Sequence, residues 1–441
     1  MNVFFVSLGC DKNLTDSEQM LGIMARSGCR ITDDETAADV IVINTCCFIN
    51  DAKEESIQSI LDMAELKKSG KCKALIVTGC LAQRYSEEIR EEIPEVDAVL
   101  GTASYDRIME VTREVLRGKK EQILDPLDRI PASGERLLTT GGHYAYLKIA
   151  EGCNKFCTYC IIPHIRGRYR SYPLEQLVNE AVRLAEEGVK ELILVAQETT
   201  MYGVDLYGKK SLHLLIRELC KIEGLKWIRL LYCYPEEIYG DLIAVMREEE
   251  KFCHYLDIPI QHIDDEILKR MGRKTDGESL RRIIQTLREE IPDIVLRTTL
   301  ISGFPGETPG QHQKLLDFVD ETEFDRLGVF AYSPEEGTPA AEMPDQIDPD
   351  VREQRRDEIM QLQQEVCFDL AAERTGQILT VMVEGYLYED GVYVCRTYAD
   401  APGVDGMLFL QTQSALMSGD FVTVRVTGSN GYDLIGEEIE L

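Results

Sequence analysis

The chain has 441 residues, 44% of them hydrophobic and 29% charged, a globular mix that excludes disordered and fibrous classes and leaves room for about two to four domains. Asp and Glu number 78 against 48 Lys and Arg, a formal net charge of -30, which argues against a general grip on nucleic-acid phosphates or an anionic membrane. The start, MNVFFVSLGC, lacks the charged and long apolar segments of a signal peptide, and no run of about 18 apolar residues occurs. A soluble, cytoplasmic protein is expected, with no membrane partner.

The first 140 residues alternate short β-branched runs with longer amphipathic stretches. VFFVSLG (3–9), DVIVINT (39–45) and ALIVTG (74–79) read as strands buried on both faces. Residues 51–68 read as a helix, with Ile57, Ile60, Leu61 and Ala64 on its apolar stripe. Such alternation predicts a parallel sheet with helices packed on it. Residues 126–142, with Pro126, Pro131, Ser133 and the Gly141–Gly142 pair, read as a linker.

From 144 the alternation resumes. YAYLKIA (144–150), ELILVA (191–196), WIRLLY (227–232), YLDIPI (255–260), IVLRTTLI (294–301) and RLGVFAY (326–332) are strand candidates, with helices between them at 174–187 and 309–322 among others. Six βα units predict a TIM-like barrel, complete or partial, with chemistry in the loops after the strands. An open doubly wound sheet is the alternative. Beyond a charged helix at 349–374, short alternating segments parted by glycine and aspartate predict an all-β module of about five strands. Residues 376–441 hold ten acidic residues and two basic ones, Arg396 and Arg425.

Fourteen cysteines in a large chain without an export signal point to metal or thiol chemistry rather than disulfides. Cys153, Cys157 and Cys160 form a C-x3-C-x2-C run in EGCNKFCTYCIIP, directly after the first barrel strand. Three thiolates can hold three irons of a [4Fe–4S] cluster and leave the fourth open, whereas a zinc site takes four ligands. Cys10, Cys46 and Cys80 each stand after an apolar strand, about one βα repeat apart. Parallel strands end on one edge, so these thiols can converge there and hold a second cluster. Small buried residues at strand ends are the other reading.

C-x3-C-x2-C after the first barrel strand, with Tyr159 before the last cysteine, resembles the radical S-adenosylmethionine enzymes. SLGCDKNLTDSE, NTCCFINDAKEES and VTGCLAQR resemble the amino-terminal domain of the methylthiotransferases, and the tail resembles their TRAM domain. The resemblance implies an α/β domain at 1–125, a linker at 126–142, a radical SAM βα barrel at 143–373 and a TRAM β-barrel at 376–441. It also implies two [4Fe–4S] clusters. Cys153, Cys157 and Cys160 would hold the one that binds and cleaves S-adenosylmethionine, and Cys10, Cys46 and Cys80 an auxiliary cluster for sulfur insertion. Cys47 stands where the family pattern expects glycine.

LLYCYPEEI, LDIPIQH and CRTYADAPGVDG (395–406) are similar to the branch of the family that modifies an aspartate of the twelfth protein of the small ribosomal subunit. The acidic tail suits a basic protein partner. The implied function is addition of a methylthio group to that aspartate's β-carbon, with electrons from a low-potential donor. A transfer-RNA adenosine methylthiotransferase and a non-catalytic iron–sulfur or RNA-binding protein are the alternatives, transfer RNA being disfavoured by the tail's charge.

Tyr159, Gln197, Glu198 and the turn Gly303, Phe304 and Pro305 are the candidate S-adenosylmethionine contacts, although each also fits an ordinary loop. Arg396, Asp400 and Asp405 are the candidate substrate interface. Arg166, Arg168 and Arg170 could touch ribosomal RNA or line a solvated loop, and His164 and His262 read as loop and packing residues.

Overall fold

The computed structural model describes residues 1–132 and 134–439, with Ser69 described by its backbone alone. Ser133 of the expected linker and the last two residues of the expected β module lie outside the described residues. The chain divides into two compact units. The first comprises residues 1–139, 150–171 and 335–338; the second comprises 140–149, 172–334 and 339–441.

The first unit holds a six-stranded parallel sheet of β1 (Asn2–Ser7), β2 (Arg30–Ile31), β3 (Val40–Thr45), β4 (Ala74–Gly79), β5 (Ala98–Leu100) and β6 (Glu121–Ile123), in the order β2-β1-β3-β4-β5-β6. Every residue of β3 and β4 is buried. Alternate residues feed two apolar cores, Ile41, Ile43, Leu75 and Val77 on one face and Val40, Val42, Ala74 and Ile76 on the other. That two-sided burial is why these strands are continuous apolar runs. The strand order reverses between β1 and β3, which opens a crevice at their C-terminal ends. In helix Asn50–Ser69 the core takes Ile60 and Ala64, but Ile57 and Leu61 are exposed. The buried stripe runs instead through Ser56, Ile60 and Ala64, four residues apart.

In the second unit β7 (Tyr144–Lys148) opens another parallel sheet. The chain then returns to the first unit with a short antiparallel pair, β8 (Ala150–Glu151) and β9 (Arg170–Ser171). The sheet continues with β10 (Glu191–Val195), β11 (Trp227–Leu230), β12 (Phe252–Asp257), β13 (Val295–Ser302) and β14 (Arg326–Ala331). Spatial order follows chain order from β7 to β14 without reversal. That singly wound order belongs to a partial βα barrel and excludes the doubly wound alternative.

After helix Pro349–Glu373 the five strands β15 (Ile378–Leu387), β16 (Val392–Thr397), β17 (Leu408–Gln411), β18 (Phe421–Asn430) and β19 (Asp433–Glu438) close into a barrel, ordered β15-β16-β17-β19-β18. Val381, Val383, Leu408, Leu410, Val424 and Val426 fill it. Trp227 of β11 meets Phe421 edge-on at 4.9 Å. Among the described residues no helix is long and apolar enough to cross a membrane.

Candidate functional site

Cys10, Cys46 and Cys80 come together where the strand order of the first sheet reverses. Cys10 stands at the start of helix Asp11–Arg26, Cys46 follows β3, and Cys80 opens helix Cys80–Arg84 after β4. The three thiols lie within electrostatic reach of one another. Two glycines make this approach possible. Gly9 and Gly79 have φ of +90° and +93°; a side chain at Gly9 would lie 2.9 Å from the Cys46 sulfur, and one at Gly79 would lie 2.3 Å from Asn44 Oδ1.

Asn13 braces the crevice. Its Nδ2 donates to Leu8 O at 3.0 Å and to Thr45 O at 2.9 Å, and its Oδ1 lies 3.7 Å from the Cys80 sulfur. Asn44 Nδ2 in turn donates to Asn13 O at 2.8 Å. Buried Ser56 fastens the β3 loop, accepting from Cys46 N at 3.0 Å and donating to Cys46 O at 2.9 Å.

Burial pushes the Cys80 thiol up to about 12, and the Arg166 guanidinium is the largest influence in the other direction. Burial also raises Cys46. Cys47 turns into the apolar core with Cys80, Ile60 and Leu81, where burial pushes its thiol up to about 12.

The Cys153–Cys160 loop belongs to the first unit. The physical reason is apolar: Ile161 and Ile165 are buried in the first unit's core. Cys153 N donates to Gly167 O at 3.1 Å, Lys155 N approaches the Cys153 sulfur at 3.5 Å, and Cys160 N donates to Cys157 O at 3.0 Å. Cys153 and Cys157 are buried and Cys160 is half-buried. Burial and then the charges of Cys157 and Cys153 raise the Cys160 thiol. Phe156, at φ +51°, is exposed, and Tyr159 is half-buried.

Among the described residues no group of three His, Cys, Asp or Glu is drawn tightly enough to clasp one metal ion. A cluster makes a different demand, because each thiolate binds its own iron and the sulfurs stand farther apart. Two sets of three soft, largely buried thiols, one with a glycine cradle, fit that demand.

Gln197 and Glu198 follow β10, and Gly303, Phe304 and Pro305 follow β13, on the C-terminal edge of the second unit's sheet. The buried Gln197 Oε1 has no hydrogen-bond partner. Glu198 is buried and accepts from Thr200 N at 3.1 Å. Gly303 N and Phe304 N donate to Glu307 Oε2 at 2.9 and 3.3 Å, and Arg355 donates to Glu307 Oε1 at 2.8 Å. Burial works to raise the Glu307 carboxyl, but His262, Arg355 and His312 outweigh it and hold the group low. Phe304 and Pro305 are buried, and Phe304 meets Tyr332 edge-on.

Arg396, Asp400 and Asp405 do not form an open interface. They sit at the opposite, N-terminal edge of the sheet, where their charges are consumed inside the chain. Arg396 donates to Glu191 at 2.6 Å and to Glu384 at 2.8 Å; Asp400 accepts from Arg326 at 2.6 Å; Asp405 accepts from Tyr255 OH at 2.7 Å. All three side chains are almost wholly enclosed. The arginine stretch divides: Arg168 is exposed, Arg170 is half-buried, and Arg166 is buried, against the expectation of a solvated or RNA-facing loop. Sequence reasoning missed Asn13, Ser56 and Glu307, although Asn13 and Ser56 fall inside the quoted motifs SLGCDKNLTDSE and NTCCFINDAKEES and Glu307 follows the Gly303–Pro305 turn by two residues.

Three family models match the chain: Uncharacterized protein family UPF0004 over residues 2–101, the Radical SAM superfamily over 147–319 and the TRAM domain over 375–439. The chain is 60% identical to the ribosomal protein uS12 methylthiotransferase RimO of Lachnoclostridium phytofermentans, over 99% of both chains. It is 52% identical to that of Acetivibrio thermocellus and 50% identical to one from Clostridium botulinum, over 99% of this chain and 98% of each relative. Among solved structures, the radical S-adenosylmethionine methyltransferase TsrM from Kitasatospora setae, with cobalamin and a [4Fe–4S] cluster bound, matches with a TM-score of 0.55 at 15% identity. The match covers 77% of this chain and 76% of TsrM, and it concerns the fold.

Proposed function

The chain belongs to the RimO family of methylthiotransferases, within the radical S-adenosylmethionine superfamily, and we propose that it adds a methylthio group to the β-carbon of an aspartate in ribosomal protein uS12. The observation that carries this reading is the gathering of two thiol trios in one compact unit, one at a strand-order reversal and one in a C-x3-C-x2-C loop. Cys153, Cys157 and Cys160 would hold the [4Fe–4S] cluster that binds S-adenosylmethionine, and Cys10, Cys46 and Cys80 the auxiliary one. The chemistry supplied once these groups are bound is reductive cleavage of S-adenosylmethionine to a 5′-deoxyadenosyl radical, hydrogen abstraction from the target carbon and sulfur insertion.

The chain's own residues hold and orient. Burial disfavours free thiolates at Cys46 and Cys80, so ligation must drive their deprotonation and release protons. Asn13 and Ser56 fix the loops that present two of these thiols. Glu307 locks the Gly303–Pro305 turn by accepting two of its backbone N–H groups. That turn, Gln197, Glu198 and Tyr159 are the proposed S-adenosylmethionine contacts. The proposed domain limits are 1–125, 143–373 and 376–441, with a low-potential electron donor and a cytoplasmic location as further parts of the reading.

The test is an anaerobic turnover of reconstituted protein with S-adenosylmethionine and reductant, offered small ribosomal subunits and transfer RNA together. Mass spectrometry is expected to find the methylthio group on uS12. Its appearance on transfer RNA would overturn the substrate and keep the chemistry. Replacing Cys153, Cys157 and Cys160 with alanine is expected to remove about four of about eight irons and all S-adenosylmethionine cleavage; surviving cleavage would overturn the assignment of that loop.

A further inference from the structure

Arg166 follows Cys160 by six residues in the chain, yet its guanidinium is spent on the other trio. Nη1 donates to Asp16 Oδ2 at 2.7 Å and stands 3.5 Å from Glu151 Oε2. Nη2 donates to Asn13 Oδ1 and lies 3.6 Å from the Cys80 sulfur. Only 2% of the residue is exposed. A planar fork alone meets four such partners at once; a lysine ammonium is a point charge without that geometry.

A guanidinium buried this deeply needs compensation, and Asp16 and Glu151 supply it. Compensation does not require the sulfur. Net charge and N–H donors at the ligand sulfurs are two of the levers that set an iron–sulfur cluster's electron affinity. Both meet in this one side chain. Ile161 and Ile165 anchor the short helix Ile162–Arg166 that carries it in the first unit's apolar core.

We propose that Arg166 is a positioning residue for the auxiliary cluster, whose fixed charge and contact with the Cys80 sulfur raise that cluster's affinity for an electron. The proposal rests on the reading that Cys10, Cys46 and Cys80 hold a cluster. It assigns the arginine a task on the sulfur-inserting side of the reaction, although the loop that delivers it carries the other three thiols.

The experiment uses the full-length chain with Cys153, Cys157 and Cys160 replaced by alanine, reconstituted with iron and sulfide, so that only the auxiliary cluster remains. Redox titration followed by electron paramagnetic resonance reads its potential. R166Q is expected to weaken electron affinity at least tenfold, 59 mV more negative for one electron. R166K, which keeps the charge and loses the fork, is expected to recover most of that shift. D16N removes a negative charge beside the same guanidinium and is expected to move the potential the opposite way. General loosening of the site would move R166Q and D16N in the same direction, and that result, or no movement in either, overturns the proposal. If R166Q fails to hold iron, R166K and D16N decide: R166K close to the parent with D16N more positive supports the proposal, and any other pair of shifts overturns it. A parent background that retains no iron would overturn the auxiliary-cluster reading itself, an outcome distinct from a loaded cluster whose potential ignores Arg166.

Discussion

Replacing Arg396 with alanine breaks a buried ion-pair network at its centre. Glu191 splits its two carboxylate oxygens between Arg229 Nε at 2.7 Å and Arg396 Nη2 at 2.6 Å, with Glu191 and Arg229 fully enclosed. Arg396 also donates to Glu384 Oε1 at 2.8 Å and to Asp400 O at 2.9 Å. Removing one partner from a buried pair costs about 3–5 kcal/mol, chiefly by stranding the other charge. Glu191 keeps Arg229, and Glu384 retains some solvent exposure, which places the loss near the lower end, about 3 kcal/mol. At about 2–4 °C per kcal/mol for a domain of this order of size, the melting temperature falls by about 6–12 °C. Differential scanning calorimetry of the reconstituted full chain reads it, and R396K, keeping the charge, should fall between parent and R396A. A shift under about 2 °C in R396A would refute the reasoning. Loss of uS12 modification at unchanged stability would return Arg396 to a role facing the substrate.

Asn13→Ala strands the Leu8 and Thr45 carbonyls, at about 1–3 kcal/mol each, and is expected to lower auxiliary iron content, read by iron and sulfide assay against intact barrel-loop iron. Cys47→Ala is expected to retain all iron, whereas Cys46→Ala loses the auxiliary share; equal iron loss in both would show that Cys47 is a ligand. Burial works to raise Glu191, Glu307 and Asp400, but arginine and histidine neighbours (with Thr397 at Asp400) hold all three below their ordinary values of 4.5, 4.5 and 3.8. Folded values below unfolded ones mean stability that is complete above the ordinary values and lost as pH falls through the depressed ones. The melting temperature should therefore fall steeply below about pH 5, and R396A should begin its fall at higher pH because Glu191 then has one arginine fewer. Glu307→Ala frees the Gly303–Pro305 turn and strands Arg355, and is expected to weaken S-adenosylmethionine binding at least tenfold by equilibrium dialysis; unchanged binding would separate that turn from the cofactor.

The sequence by itself determined what is local or periodic. ALIVTG reads as β4 to the residue because a strand buried on both faces is a near-continuous apolar run. The convergence of Cys10, Cys46 and Cys80 was legible because parallel strands one βα repeat apart end on one edge of the sheet. Glycine and aspartate turns marked the five strands that close into the C-terminal barrel.

Tertiary structure alone decided the remainder. Arg166 pairs with Asp16 across 150 positions, and Arg396 with Glu191 across 205. No periodicity links residues so far apart, and a charged side chain in a loop carries the same local signature whether it faces water or a buried carboxylate. CRTYADAPGVDG therefore read as a surface for a partner, whereas folding uses it to neutralise the charges on β10 and β14. The chain order of β7 to β14 and the reversal at β1 and β3 were likewise set by packing. Apolar runs state that strands are buried; only the sheet states which strands are neighbours.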